Sequence, residues 1–404
     1  MTQAGETMEG RAGTALEVLG AFLRLGVTSF GGPVAHLGYF RAEFVGRRRW
    51  LDEAGFADIV ALCQFLPGPA SSQVGLSLGL LRAGLPGAFC AWLGFTMPSA
   101  LALMLFGYGV GRFGELGGAA WLHGLKIVAV AVVAQAVWGM AQRLAPDRKR
   151  ATLAIASAVL ALAIPSTLGQ VAAIVLGAVS GWLFREDATL VAAETLPLRL
   201  DRRWSLAALA LFMLLLLGLP VAARLTHSHA LALFDSFYRA GSLIFGGGHV
   251  MLPLLQAAVV PPGWVGNDAF LAGYGAAQAV PGPLSTFAAY LGVVMGPAPH
   301  GWMGGLICLV AIFLPSFFLV IGALPFWSAL RRQAAIRAAL TGVNAAVVGV
   351  LLAALYRPVW VSAILAPGDF ALALAAFLLL ALWRTPPWLV VLLGALTAQA
   401  LALI

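Results

Sequence analysis

Apolar and polar positions divide this chain into long greasy blocks separated by short polar ones. "AFCAWLGFTMPSALALMLFGY", from Ala88 to Tyr108, carries no charge at all. Blocks at 121–141, 151–167, 169–184, 204–223, 302–323, 339–356, 367–383 and 387–404 are similarly apolar, with Lys126 and Asp369 as their only Lys, Arg, Asp or Glu. A helix needs roughly 20 apolar residues to cross a hydrocarbon core of about 30 Å, so each block predicts a spanning helix. Four further blocks are interrupted. "FLRLGVTSFGGP" breaks the block at 14–38, and "QFLPGPASSQ" breaks the one from Ala54 to Leu81. "FYRAGSLIFGGG" and "QAVPGPLSTF" do the same at 231–255 and 270–295. Proline lacks the N–H and clashes with the preceding turn, so Pro-Gly-Pro cannot continue a helix. Each interrupted block predicts two half-helices that enter and return, a re-entrant hairpin, with a spanning segment as the alternative for the two Gly-Gly blocks.

The breaks recur at a fixed spacing. Phe22, Arg24, Gly26, Phe30, Gly31 and Gly32 meet Phe237, Arg239, Gly241, Phe245, Gly246 and Gly247 at an offset of 215. Trp50, Phe56, Gln64, Pro67, Gly68 and Pro69 meet Trp264, Phe270, Gln278, Pro281, Gly282 and Pro283 at 214. Pro98 then meets Pro315, and "HGLKIVAVAVV" meets "TGVNAAVVGVL". The expected organisation is a first repeat at 14–184, a basic connector with a linking transmembrane helix at 185–230, and a second repeat at 231–404.

Composition fixes the class. Of 404 residues, 61% are hydrophobic and only 10% charged, against roughly 25% charged in a soluble domain. The expected fold is an all-α polytopic membrane protein with the lipid bilayer as its partner. The net charge of +8 is read as orientation rather than as a nucleic-acid surface, because cytoplasmic loops accumulate Lys and Arg. Arg41, Arg47, Arg48 and Arg49 crowd the loop after the first block, and the matching "QAAVVPPGWVGND" has none. "RRQAAIR" (Arg331, Arg332, Arg337) reverses the bias against "GRFGELGG". A flipped bias between copies predicts inverted-topology repeats. That model puts 18 of the 24 Lys and Arg on the cytoplasmic side with the N-terminus, and Arg112, Arg224 and Arg357 outside. The N-terminus shows no removable signal peptide. Cys63, Cys90 and Cys308 lie in apolar segments without metal-ligand spacing, so neither a metal nor a cofactor is expected.

Non-helical backbone at membrane depth is tolerated where it is buried in protein or lines a wet cavity. Half-helices starting at mid-depth present unpaired N–H groups and the positive end of the helix dipole, and glycine lets an anion approach them closely. The candidate anion site therefore comprises Ser29, Gly31, Gly32 and His36 at the first break, and Gln64, Pro67, Gly68, Pro69, Ser71 and Ser72 at the second. Ser242, Gly246, Gly247, Gly248 and His249 flank the third; Gln278, Pro281, Gly282, Pro283, Ser285 and Thr286 form the fourth. Arg24, Arg239 and Lys126 are intramembrane cations, functional candidates by default. Each could equally snorkel or pair, the arginines with Glu17 or Asp235. The hydroxyls could equally bond their own helices. Asp58, matched by Ala272, is the candidate for coupling transport to protons, with a structural salt bridge as the alternative.

Around these residues the sequence resembles the chromate ion transporter family. The resemblance rests on "FLRLGVTSFGGPVAHLGYFRAEFVGRRRWLDEAGFADIVALCQFLPGPASSQVG", "FYRAGSLIFGGGHVMLPLL" and "FLAGYGAAQAVPGPLSTFAAYLG", and covers most of both halves. Two halves in one chain are similar to the long-chain, two-domain members. The resemblance implies a secondary transporter of the bacterial inner membrane that exports chromate and confers resistance to it, with sulfate as a second substrate or an inhibitor and a homodimer among the assemblies allowed. A transporter or channel for another tetrahedral oxyanion is the alternative. An enzyme that reduces chromate would need a nucleotide or metal site, and no GxGxxG opens a βα unit here.

Overall fold

A computed structural model describes residues 13–113, 120–183, 201–330 and 332–403. Part of the connector, with Arg185 and Arg199, and Arg331 of the basic loop lie outside these residues. The described residues are mostly helical, without a strand, and the protein is an all-α polytopic membrane protein.

The first interrupted block is α1 (Ala15–Thr28) followed by α2 (Gly32–Phe40), which continues as a wider π turn over Arg41–Arg47. Thr14 caps α1, accepting from the Glu17 N–H, and Gly31 ends the break in the left-handed region (φ 101°). The helical arm thus runs to Arg47, beyond the expected end near residue 38. Arg41 and Arg47 lie on this last turn rather than in a loop, because nothing between Pro33 and Arg47 removes a backbone donor. Next come α3 (Glu53–Phe65) and α4 (Ala70–Phe113). Helix α4 reverses at Ala83–Gly84, where Gly84 takes φ 62°, making a short arm from the Pro-Gly-Pro turn and a long arm from 85 to 113.

Both blocks return to where they began. Gly13 donates to the Arg82 carbonyl (3.0 Å), and Glu17 accepts from Trp50 Nε1 (3.2 Å) and pairs with Arg82 and Arg48 (3.2 and 3.7 Å). The Trp50 ring stacks on Phe44 and lies under the Arg48 and Arg82 guanidinium groups. The start of α1, the end of the π turn and the end of the short α4 arm therefore share one end of the bundle.

Helix α5 (Ala120–Leu144) and the pair α6 (Arg148–Ala163) and α7 (Thr167–Leu183) follow. Helix α8 (Arg202–Thr226) is the linking helix. Long enough to cross and mostly exposed, it turns Leu214 and Leu217 outward, where lipid would meet them. Then α9 (His229–Ser242) breaks before a 3₁₀ turn at Gly248–Val250 and α10 (Met251–Val259). Helix α11 (Asn267–Ala277) breaks before a 3₁₀ turn at Leu284–Thr286 and α12 (Phe287–Val294). These hairpins also close on themselves. The His229 ring lies 4.7 Å from the Trp264 ring, and Gly296 donates to the Trp264 carbonyl (3.0 Å).

This second closure is at the other end. The long α4 arm starts just after Arg82 and passes Tyr108, whose hydroxyl accepts from the N–H of Trp302 (2.8 Å) in α13 (Gly301–Ala323), just past Gly296. Trp50 and Trp264, matched at offset 214, thus stand near opposite ends of the long α4 arm.

A short α14 (Trp327–Leu330) leads to α15 (Ala334–Ala354), and α16 (Val361–Ala363) to α17 (Pro367–Phe377) and α18 (Pro387–Leu401). The late helices are exchanged. Helices α6 and α7 pack on α15, where Gly177 sits against Gly342 and Ala346. Helices α17 and α18 pack on α5, where Gly124 meets Gly394 and Ala398. Lipid tails are as apolar as leucine, so close backbone approach at small residues supplies the association.

Candidate functional site

The four breaks meet crosswise. The N–H of Gly68, in the first Pro-Gly-Pro turn, donates to the carbonyl of Ile244 in the third break (2.7 Å). The N–H of Gly282, in the second Pro-Gly-Pro turn, donates to the carbonyl of Ser29 in the first break (2.9 Å). Gly68 and Gly282 are repeat mates, and so are Ser29 and Ile244. Each turn is thus tied to the opposite half by the same bond, made twice. Both glycines have positive φ (129° and 95°), which points the amide across the interface.

Buried polar atoms collect here. The hydroxyls of Ser29, Ser72 and Ser285 are buried, and none has a protein partner. His36, 1% exposed, shares a hydrogen bond between Nδ1 and Ser71 Oγ (3.3 Å), packs edge-on against Phe95, and leaves Nε2 unpaired. His249 Nδ1 bonds the Tyr274 hydroxyl (2.7 Å). The two histidines therefore have different partners. Gln278 leaves its side-chain nitrogen unpaired at the end of α11. Gly31, Gly32, Gly246 and Gly247 all hold positive φ, and Gly248 opens the 3₁₀ turn. Helices α2, α4 and α10 and the turn into α12 all start at these breaks, directing their first N–H groups toward the crossing.

Other expected residues stand apart or bond locally. Arg24 is on the exposed face of α1 with Leu23, Val27 and Thr28, opposite the buried Phe22 and Leu25. Glu17 is engaged by Arg48 and Arg82 rather than by Arg24. Arg239 pairs with the buried Asp235 one turn earlier (2.5 Å) and lines a cavity of about 180 Å³ with Thr167, Ser236, Leu243 and Pro262. Lys126 pairs with Asp268 of the other half (2.9 Å). Gln64 is exposed, and Asp58 is buried in α3. Ser242 donates to the Tyr238 carbonyl, and Thr286 to that of Pro283 (2.8 Å each), the local bonding common for hydroxyls in membrane helices.

Some residues at the crossing were not singled out from sequence. Gln73, fully buried, donates to the Pro67 carbonyl (2.7 Å) and so closes the first Pro-Gly-Pro turn. Ser99 and Ser316 follow the matched Pro98 and Pro315, and their hydroxyls lie against Gly282 and Gly68. The repeat itself was the signal for these two, since both halves carry Pro-Ser at the same register.

Comparison with known proteins agrees with this two-part plan. The chromate transporter family model matches twice, over residues 16–182 and 231–399. A chromate transport protein of Pseudomonas aeruginosa is 30% identical over 349 residues, covering 83% of this chain and 79% of its own length. One from Cupriavidus metallidurans is 27% identical over 362 residues, covering 87% and 84%. An uncharacterised transporter of Bacillus subtilis, YwrA, is 33% identical over 156 residues; these make up 85% of its length and 36% of this chain. No solved structure matches. With both hairpin pairs falling inside the two matched segments, the chain belongs to the chromate transporter family.

Proposed function

We propose that this chain is a secondary transporter that exports chromate across the bacterial inner membrane, with its N-terminus cytoplasmic, and so confers chromate resistance. Its two inverted repeats, 14–184 and 231–404, are joined by the connector at 185–230. The observation that carries the reading is the doubled bond between the halves, Gly68 to Ile244 and Gly282 to Ser29. It ties broken backbone to broken backbone among buried hydroxyls, the setting a tetrahedral dianion needs. Such an ion accepts many hydrogen bonds and demands charge compensation in a low-dielectric site. Helix starts at the crossing, with Ser29, His36, Ser71, Ser72 and Ser285, offer donors. Arg239, beside the cavity that reaches Leu243, offers a cation on the approach from one end. Arg24, its mate, offers one on the hairpin that opens at the other.

The cell interior is electrically negative. A dianion leaving it gains about 2.3 kcal/mol per charge per 100 mV, about 4.6 kcal/mol in all. Asp58 is the proposed coupling acid, and Asp58→Asn should weaken pH-driven flux while sparing assembly. The test is chromate uptake by everted vesicles, whose respiration makes the lumen positive. Uptake should follow the imposed voltage and collapse when the voltage is discharged. Absence of voltage-dependent chromate uptake would overturn the reading, and faster uptake of sulfate would assign the scaffold to another oxyanion.

A further inference from the structure

We propose that Ser316 contacts the transported oxyanion, donating its hydroxyl at the first Pro-Gly-Pro turn, and that Ser99 holds the matching post at the second. This inference rests on the oxyanion-transport reading above.

The two serines are repeat mates, each directly after a proline in a long helix, α13 for Ser316 and α4 for Ser99. Both are fully buried. Each reaches into the other half. Ser316 Oγ lies 2.8 Å from the point where a Cβ on Gly68 would stand, and Ser99 Oγ lies 2.9 Å from the same point on Gly282. These are the glycines whose N–H groups tie the halves together. Each crossing therefore brings together a positive-φ glycine, the first turn of a helix and a hydroxyl from across the interface.

The two posts differ in one respect. Ser99 spends its hydrogen on the Thr96 carbonyl of its own helix (3.1 Å), whereas Ser316 Oγ has no protein partner. A buried hydroxyl without a partner is a standing cost that alanine, of nearly the same volume, would remove. Close packing against Gly68 explains a small side chain at 316 but not a hydroxyl. A ligand that accepts hydrogen bonds explains both. Ser72, whose hydroxyl is also buried and unpartnered, stands in the first turn of α4 just beyond Gly68, so a second donor lies on that side of the turn.

The test is equilibrium binding of radiolabelled chromate to the purified full-length protein in detergent, for the parent, Ser316→Ala, Ser99→Ala and Ser157→Ala. Ser157 is the control, equally buried and unpartnered but on α6, away from the breaks. A lost hydrogen bond to a charged ligand weakens binding about tenfold or more. Ser316→Ala should show that loss, Ser99→Ala a smaller one and Ser157→Ala none, with no variant unfolding at a lower temperature than the parent. Parental affinity in Ser316→Ala, or an equal shift in Ser157→Ala, would overturn the assignment and leave the transport reading intact. A parent that binds neither chromate, sulfate nor molybdate would bring down both.

Discussion

At the scale of the residue, Arg239 shows why a single substitution can mislead. Its partner Asp235 is buried, with one carboxylate oxygen already lacking a protein partner. Removing the guanidinium alone leaves the buried carboxylate without its counter-charge, which is destabilising. Arg239→Ala should therefore lower the amount of folded protein as well as flux. The double variant Asp235→Asn/Arg239→Gln should recover the folded amount, read as the monodisperse fraction after detergent extraction, yet still fail to move chromate in vesicles. Full flux in the double variant would make the pair structural. The basic corner carries a pH prediction. Burial pushes the Glu43 carboxyl up, but hydrogen bonds from Arg47 and Arg48 outweigh it and hold the group below its ordinary 4.5. A lowered carboxylate contributes stability that is complete above the ordinary value and fades as pH falls through the lowered one. Melting temperature should drop below about pH 4.5 in the parent, and Glu43→Gln should flatten that acid limb. The direction of side chains was the least legible feature here. Sequence marks Arg24 as an intramembrane cation, but only the helical period of Val18, Ala21, Phe22 and Leu25 tells that it faces away from the core.

The elements themselves were far more legible, because glycine and proline act on the backbone locally. Gly-Gly-Pro, Gly-Gly-Gly and Pro-Gly-Pro act on the backbone where they stand, and the four breaks occur at those motifs. What no local signal carried is which break touches which. The Gly68–Ile244 and Gly282–Ser29 bonds join residues more than 170 positions apart, and periodicity is silent at that range. The π continuation of α2 was missed for a related reason: nothing local stops the helix at Gly38. Gly282 offers the sharpest test at this scale. A Cβ there meets Ser99 Oγ at 2.9 Å and the Phe95 carbonyl at 3.0 Å, at a φ of 95° that L residues avoid. Gly282→Ala should push the second turn off Ser29 and abolish flux, with loss of the sharp melting transition. The comparison is Gly296→Ala, where nothing lies within 4 Å and both properties should be kept.

For the whole molecule, the exchange of late helices sets what each half can do alone. Helices α6 and α7 belong to the first half by sequence, yet the helix they cover, α15, belongs to the second; α17 and α18 cover α5 in return. A separated half keeps its hairpins but exposes small-residue stripes, such as Gly177 with Gly181, that have no partner of their own. Association through such stripes is specific and weak per contact, so separated halves should find each other when made together. The linking helix matters for a different reason. On the proposed inverted topology the second half enters the membrane from the other side, and α8 is the proposed extra crossing. Residues 1–190 and 191–404, coexpressed as two chains, should copurify and restore chromate flux, while each alone should be degraded. A second fragment that begins at Ser228, without α8, should fail, because its N-terminus would have to be delivered across the bilayer first. Equal rescue by both fragments would show that α8 does not set the orientation of the second half. A cysteine placed at position 48 and one at position 263 should, in the intact chain, react with an impermeant thiol reagent from opposite faces of the membrane.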